Sequence, residues 1–107
     1  MNATNSYEEL NAAIADNNWV LLYFSASWCG PCGAYSPVVE SVAKDYGKIV
    51  ETLKVDVEEI PESAGELSIR AVPTLVLLNK QKTVDSLVGA QTQSQVMKWL
   101  STKLLTH

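Results

Sequence analysis

The sequence predicts an α/β fold with a central mixed sheet of four strands flanked by helices. Three observations support this fold class. Apolar runs typical of buried strands alternate with segments of helical periodicity along the chain. Strands separated by helices favour parallel pairing, because each crossover returns the chain to the same end of the sheet. Late in the chain, two strand-like runs joined by a short polar turn predict a hairpin, which adds an antiparallel edge.

The first predicted helix and strand are marked by a cap and an apolar run. Ser6 followed three residues later by Glu9 fits a capping box, in which the serine hydroxyl accepts a hydrogen bond from the third helical residue. Apolar residues then recur at helical spacing, which predicts a helix over about residues 7–15. The apolar run at residues 19–24 is typical of a buried strand.

A longer helix is predicted after Pro31. Gly47 is typical of the residue just beyond a helix end. Pro37 lies inside this helix and should kink it, because proline lacks a backbone donor and crowds the preceding turn. The apolar and aromatic residues that share one face of the helix are Tyr35, Val38, Val39, Val42 and Tyr46.

The remaining elements complete the alternation of helices and strands. A second strand is predicted at residues 49–57, and the proline at position 61 can open a short helix over about residues 61–67. Residues 73–78 and 83–88 read as the two strands of the hairpin. A last helix is predicted over residues 93–105, since its apolar residues recur at helical spacing.

Composition and charge exclude several functional classes. At 107 residues, the chain is expected to form a single domain over residues 1–107. The net charge of −4 and the lack of a basic cluster disfavour nucleic acid as a partner. No stretch approaches the ~18–20 apolar residues of a membrane span, so no membrane partner is expected. The first residues lack the charge and apolar core of a signal peptide, which favours a cytoplasmic location.

The only two cysteines of the chain lie three residues apart, in Trp28-Cys29-Gly30-Pro31-Cys32. This motif joins a predicted strand to a predicted helix, which places the first sulfur beside the free backbone N–H groups of the helix N-terminus. Those groups and the helix dipole stabilise a thiolate. The second sulfur lies one turn along, within reach of the first. The spacing therefore predicts a dithiol that can open and close as a disulfide.

Two other interpretations of the cysteine pair remain open. The pair could be half of a metal site, but a closed zinc site needs four ligands, and the chain offers only these two thiols and the terminal His107. Only a dimer that shared ligands could complete such a site. The fold could also serve as a redox-inactive binding module. The dithiol interpretation needs no metal or organic cofactor, because the sulfurs themselves hold the electrons.

Three separated motifs resemble those of the thioredoxin family. They are residues 24–32, Phe-Ser-Ala-Ser-Trp-Cys-Gly-Pro-Cys; residues 69–74, Ile-Arg-Ala-Val-Pro-Thr; and residues 88–90, Val-Gly-Ala. Lys54 and the kinking Pro37 also match. The resemblance covers about residues 7 to 105 and implies a thioredoxin-like, three-layer α/β/α fold. Few residues precede the first helix, so the first strand of the family is expected to be short or missing.

The resemblance also implies roles for individual residues. Cys29 would be the attacking thiol and Cys32 the resolving thiol. Pro73 would follow a cis peptide bond. Gly30 would let a substrate backbone come close, and Pro31 would stiffen the turn. The remaining residues of the substrate groove would be Trp28, Val72, Gly89 and Ala90.

The implied function is that of a protein-disulfide reductase and electron carrier. Its partners would be disulfide-containing client proteins and a thioredoxin reductase that regenerates the dithiol, and the chain would act as a monomer. A specialised member with its own client or reductase is the alternative within this class. A non-catalytic binding module that uses the same face is the alternative outside it.

Two positions near the dithiol depart from the pattern of the family. Tyr23 stands six residues before the first cysteine, where the family usually has a buried aspartate, and Gly33 replaces the usual lysine or arginine after the second cysteine. A tyrosine is a poor proton acceptor at neutral pH. We therefore expect Tyr23, Gly33 and the matching Lys54 to tune the rate and redox poise of the dithiol.

Overall fold

The computed structural model describes residues 1–106, so His107 and its suggested role as a metal ligand lie outside the described residues. None of the helices in this range is long and apolar enough to cross a membrane. In chain order the elements are β1 (Asn2–Thr4), α1 (Tyr7–Asp16), β2 (Trp19–Ser25), α2 (Gly30–Asp45), β3 (Glu51–Asp56), α3 (Pro61–Glu66), β4 (Thr74–Asn79), β5 (Lys82–Val88) and α4 (Gln93–Thr106).

The strands form one mixed sheet in the order β1-β3-β2-β4-β5. Strands β1, β3 and β2 are parallel, whereas β4 is antiparallel to β2, and β5 is antiparallel to β4. This confirms the predicted parallel pairing and the antiparallel hairpin.

The sheet has the four predicted strands and a fifth, the first strand of the chain, which is short, one of the two outcomes expected from the resemblance. Strand β1 has only three residues and pairs Asn2 with Leu53 and Thr4 with Val55. Its sequence, Asn-Ala-Thr, carries no alternation of apolar and polar residues, so no pattern in the sequence indicates it. Backbone hydrogen bonds to β3 form this strand.

Helices pack on both faces of the sheet, which confirms the three-layer arrangement. On one face, α2 and α4 cover a core that includes Leu21, Tyr23 and Leu75. On the other face, α1 and α3 cover a core that includes Leu22 and Phe24. Strand β2 lies at the centre of the sheet and is buried on both faces, and this explains why its sequence is an unbroken apolar run.

Local signals in the sequence fix the ends of the helices. The Glu9 N–H donates a hydrogen bond to the Ser6 hydroxyl over 3.1 Å, so Ser6 caps α1 as predicted. Helix α2 contains Pro37 in its interior and ends just before Gly47. Because β2 and β3 are parallel, their carboxyl ends meet at one edge of the sheet, and α2 begins at that edge.

Candidate active site

The two cysteines lie at the start of α2, where they form a disulfide bond with Cα atoms 5.4 Å apart. Cys29 is the N-cap of α2, and its sulfur accepts a hydrogen bond from the Cys32 N–H over 3.3 Å. The structure thus places the first sulfur at the free N–H groups of a helix N-terminus. A thiolate at this position is stabilised by these donors and by the helix dipole.

The two cysteines differ slightly in their exposure. Cys29 is 9% exposed and Cys32 is 4% exposed, and both pack against Ala26 and the half-buried Val57 and Val72. The residues between them, Gly30 and Pro31, are exposed. The disulfide therefore lies just beneath an exposed turn, and the more exposed of the two cysteines is the one that caps α2.

The fold brings together the three motifs that are separated in the sequence. The Val72–Pro73 peptide bond is cis, and Val72 contacts the cysteine cluster. The Gly89 N–H donates a hydrogen bond to the Pro73 carbonyl over 2.9 Å, which ties the third motif to the second. Gly89 has a φ of 88°, a conformation that favours glycine.

Apolar and small residues surround the dithiol on the surface. Trp28 is 68% exposed beside Cys29, and Val88 is 59% exposed beside Gly89. Ala90 is exposed and lines a shallow groove together with Pro31. An exposed apolar rim around a reactive disulfide is a surface on which a protein chain can dock.

Tyr23 is fully buried, and its hydroxyl is held by helix α2. It donates to the Cys32 carbonyl over 3.0 Å and lies 2.9 Å from the Ser36 hydroxyl, which itself donates to the same carbonyl over 2.9 Å. Burial raises the pKa of Tyr23, and the hydrogen bond with Ser36 offsets part of that rise. This side chain is a core residue that anchors the carbonyl of Cys32.

Sequence analysis did not identify Ser36. The residue lies four positions after Cys32 on α2, a spacing at which a serine hydroxyl can bond back to the carbonyl of the preceding turn. That local signal was available in the sequence. The contact with Tyr23 was not, since it depends on how α2 packs against β2.

The other two predicted tuning positions differ in their surroundings. Lys54 pairs with Tyr23 in the register of β2 and β3, and its ammonium lies 6.0 Å from the centre of the tyrosine ring. Gly33 is exposed, and a Cβ atom added there would meet no other atom within 4 Å. A Cβ atom at position 33 would therefore meet no steric obstacle.

A cavity of about 320 Å³ lies next to the dithiol. It is lined by both cysteines, by polar side chains from β2, the β2–α2 loop and α2, and by two charged residues of β3, Lys54 and Asp56. Asp56 is a residue that sequence analysis missed, because only the pairing of β2 with β3 brings it to the cysteines. Among residues 1–106, no group of three or more side chains is arranged to hold a metal ion.

Comparison with known proteins shows extensive similarity to one family. The family model described as Thioredoxin matches residues 2–102. A thioredoxin from Chlorobaculum thiosulfatiphilum is 42% identical over 79 residues, which are 74% of this chain and 73% of that protein. Thioredoxin 1 from Synechococcus elongatus is 40% identical over 88 residues, which are 82% of this chain and 78% of that protein.

Solved structures show the same similarity in three dimensions. The thioredoxin of Plasmodium falciparum superposes with a TM-score of 0.88 at 31% identity, covering 95% of this chain and 98% of that one. The thioredoxin of Fasciola hepatica gives a TM-score of 0.87 at 30% identity, covering 96% and 99% of the two chains.

Proposed function

The chain belongs to the thioredoxin family and is a protein-disulfide oxidoreductase, and we propose that Cys29 is its attacking thiol and Cys32 its resolving thiol. The observation that carries this assignment is the cap of α2. The sulfur of Cys29 accepts a hydrogen bond from the Cys32 N–H, and Cys29 is the more exposed residue of the pair. A thiolate there is both stabilised and accessible to a client.

The reaction is thiol–disulfide exchange in two steps. The Cys29 thiolate attacks one sulfur of a client disulfide, which forms a mixed disulfide and releases the other client sulfur as a thiolate. Cys32 then loses its proton and attacks the sulfur of Cys29. The bond between Cys29 and the client breaks, the second client thiolate leaves, and Cys29–Cys32 is the new disulfide. The client gains two electrons, and its two thiolates take up protons from solvent.

The surface around Cys29 is proposed as the client groove. Trp28 and the exposed Ala90 supply apolar contact area, and Gly30 leaves open space above the dithiol. Val72, before the cis Pro73, offers its backbone to an extended client segment. Pro31 and Gly89 shape the two sides of the groove.

Regeneration requires an external electron donor, which we propose to be a thioredoxin reductase. In this scheme the chain acts as a monomeric, single-domain electron carrier of the cytoplasm, without metal or organic cofactor. The contacts of Tyr23 with Ser36 and the open position at Gly33 favour a member with its own client or reductase.

The test is turnover of a disulfide-bonded protein by serine variants. Wild type should accelerate the reduction of insulin by a small dithiol. Cys29→Ser should abolish the acceleration, since the entering nucleophile is gone. Cys32→Ser should form mixed disulfides with insulin, detected by mass spectrometry, and release them slowly. Wild-type turnover in both variants would contradict the assignment and favour a binding module without turnover.

A further inference from the structure

The resolving step needs a group that takes the proton of Cys32. This thiol is nearly buried, at 4% exposure. Tyr23 is fully buried beside it, but its hydroxyl already contacts the Cys32 carbonyl and Ser36, and burial raises its pKa. A protonated phenol does not accept a proton at neutral pH. The proton of Cys32 must therefore leave by another route.

The cavity beside the dithiol offers that route. Its volume of about 320 Å³ is large enough for several water molecules. Its lining includes Cys32, Ser36 and Asp56, together with the hydroxyls of Ser25 and Ser27. Polar groups of this kind hold water well. Among the residues that line the cavity, Asp56 is the only one with a carboxylate.

Asp56 is held at the edge of the sheet where the dithiol lies. It is the last residue of β3 and pairs with Ser25, the last residue of β2. One carboxylate oxygen accepts a hydrogen bond from the Glu58 N–H over 2.8 Å, which fixes the side chain in the turn after β3. The Asp56 carbonyl also accepts the N–H of Ile60, so the turn is anchored on both sides.

The charged and titratable groups around Asp56 come from three parts of the fold. Lys54 on β3 lines the same cavity, as do Cys29 and Cys32 on the α2 side. Glu58, in the turn itself, accepts a hydrogen bond from the Ser27 hydroxyl and is exposed. The Tyr23 hydroxyl, on β2, contacts Cys32 and Ser36, which both line the cavity. Lys54 is the only cationic residue among those that line the cavity.

We propose that Asp56 accepts the proton of Cys32, through water in this cavity, when Cys32 attacks the mixed disulfide. The S–H bond of Cys32 breaks, and its proton passes through water to the carboxylate. The sulfur of Cys32 bonds to that of Cys29, and the client sulfur departs with the electron pair of the broken disulfide. Asp56 then returns the proton to solvent or to the departing thiolate. This inference rests on the proposed roles of Cys29 and Cys32.

The test measures formation and decay of the mixed disulfide separately, by rapid acid quench of reduced protein mixed with insulin. In Asp56→Asn, formation should keep its wild-type rate, and decay at pH 7 should slow by about tenfold or more, because positioned acid–base groups contribute ~10²–10⁴-fold. The slowed decay should recover as imidazole is added at constant pH and ionic strength. Recovery by an external base is not expected from a structural defect.

Two matched variants serve as controls. Glu58→Gln removes a carboxylate two residues away that does not line the cavity, and it should leave both rates unchanged. Tyr23→Phe removes the buried hydroxyl, and it should slow decay at pH 7 less than Asp56→Asn does, because the phenol is not the proton acceptor. A slower decay in Tyr23→Phe, with an unchanged rate in Asp56→Asn, would overturn the inference and assign the proton to the hydroxyl pair.

Wild-type protein gives a second, independent readout. With Asp56 as internal acceptor, decay in wild type should not accelerate with added imidazole, whereas acceleration would overturn the inference even if Asp56→Asn failed to fold. Unchanged decay in a folded Asp56→Asn protein would also overturn it. Absence of any mixed disulfide in wild type would instead show that the proposed dithiol mechanism is wrong, so the two failures are distinguishable.

Discussion

Two neighbouring tyrosines, Tyr23 and Tyr35, are both buried against the same face of the sheet but differ in their hydrogen bonds. Their rings meet edge to face with centroids 5.8 Å apart. The Tyr23 hydroxyl has two partners on α2. The Tyr35 hydroxyl is buried and has no hydrogen-bond partner among residues 1–106. Equal burial therefore has opposite energetic consequences at the two positions.

Removal of the two hydroxyls should have different effects on the free energy of unfolding. Tyr23→Phe should destabilise the fold by about 1 kcal/mol, the net contribution of a typical hydrogen bond. Tyr35→Phe should leave stability unchanged or raise it by up to ~1–2 kcal/mol, because it removes a desolvated group without a partner. Urea denaturation of the two variants checks this. Equal losses in both would show that the Tyr35 hydroxyl has a partner, such as a buried water.

The same tyrosine predicts a loss of stability at alkaline pH. Burial, with a smaller contribution from Tyr23, raises the pKa of Tyr35 to about 12. Below its ordinary value of about 10, both the folded and the unfolded chain hold this proton. Between about 10 and 12 the unfolded chain loses it first, so the free energy of unfolding falls as pH rises through this window. Denaturant melts from pH 9 to 12 should show a shallower fall in Tyr35→Phe. If the free energy of unfolding fell equally steeply with pH in Tyr35→Phe and in wild type, the raised pKa of Tyr35 would be contradicted.

At the scale of elements, helix α2 combines features that stabilise it with features that weaken it. Cys29 caps its first turn, and Pro31 lies where a missing N–H costs little. Pro37 removes an interior backbone hydrogen bond. Gly33 places a flexible residue in the helical turn between Cys32 and Pro37. The helix that carries the reactive sulfurs is thus weakened just beyond them.

Replacing Gly33 by alanine should stabilise the protein. A Cβ atom there meets nothing within 4 Å, so the gain of about 0.5–1 kcal/mol expected for Gly→Ala in a helix interior has no steric cost. Gly65→Ala in α3 is the matched control, since its Cβ also meets nothing within 4 Å. Both variants should melt later than wild type, and only Gly33→Ala, which adjoins Cys32, should alter the rate of insulin reduction. A destabilised Gly33→Ala would show that position 33 needs glycine.

Local patterns predicted the helices and four of the strands, because each of these elements carries its own signal. Ser6 and Glu9 marked the start of α1, and the apolar run after Trp19 marked a strand buried on both faces. Strand β1 carried no such signal, since three residues on the edge of a sheet bury little side-chain surface. Its existence follows from pairing with β3, which is a property of the assembled sheet.

At the scale of the whole molecule, the site residues that could be predicted were those that lie within recognisable sequence motifs. The spacing of the cysteines and the resemblance placed Cys29, Cys32 and Pro73 together before the structure did. Ser36 and Asp56 were missed because their contacts arise from the packing of α2 on β2 and from the register of β2 with β3. Neither the packing of α2 on β2 nor the register of β2 with β3 can be inferred from the sequence alone.

The molecule exposes large apolar side chains at both ends of its parallel strands, and only one end carries the dithiol. Trp28 is 68% exposed beside Cys29, and Val88 is 59% exposed at the same end of the sheet, where it pairs with Thr74. Ile49 is 58% exposed just before β3, at the opposite edge. Six strand residues at ~3.3 Å each place Ile49 about 20 Å from the edge with the dithiol. Ile49 has an exposed fraction similar to those of Trp28 and Val88 but lies at the other end of the sheet. It is therefore a matched control for substitutions at those two positions.

Trp28→Ala should raise the KM for insulin by about tenfold, equivalent to ~1.4 kcal/mol of docking free energy, because buried aromatic anchors carry much of the energy of an interface. Val88→Ala should raise it less, since valine offers less contact area. Ile49→Ala should leave it unchanged. With a small aromatic disulfide as substrate, all three variants should react at the wild-type rate, because the thiol chemistry is intact and no extended segment docks. A rate loss in Trp28→Ala that is equal for insulin and the small disulfide would show that Trp28 acts on the reactivity of Cys29 rather than on the binding of client chains.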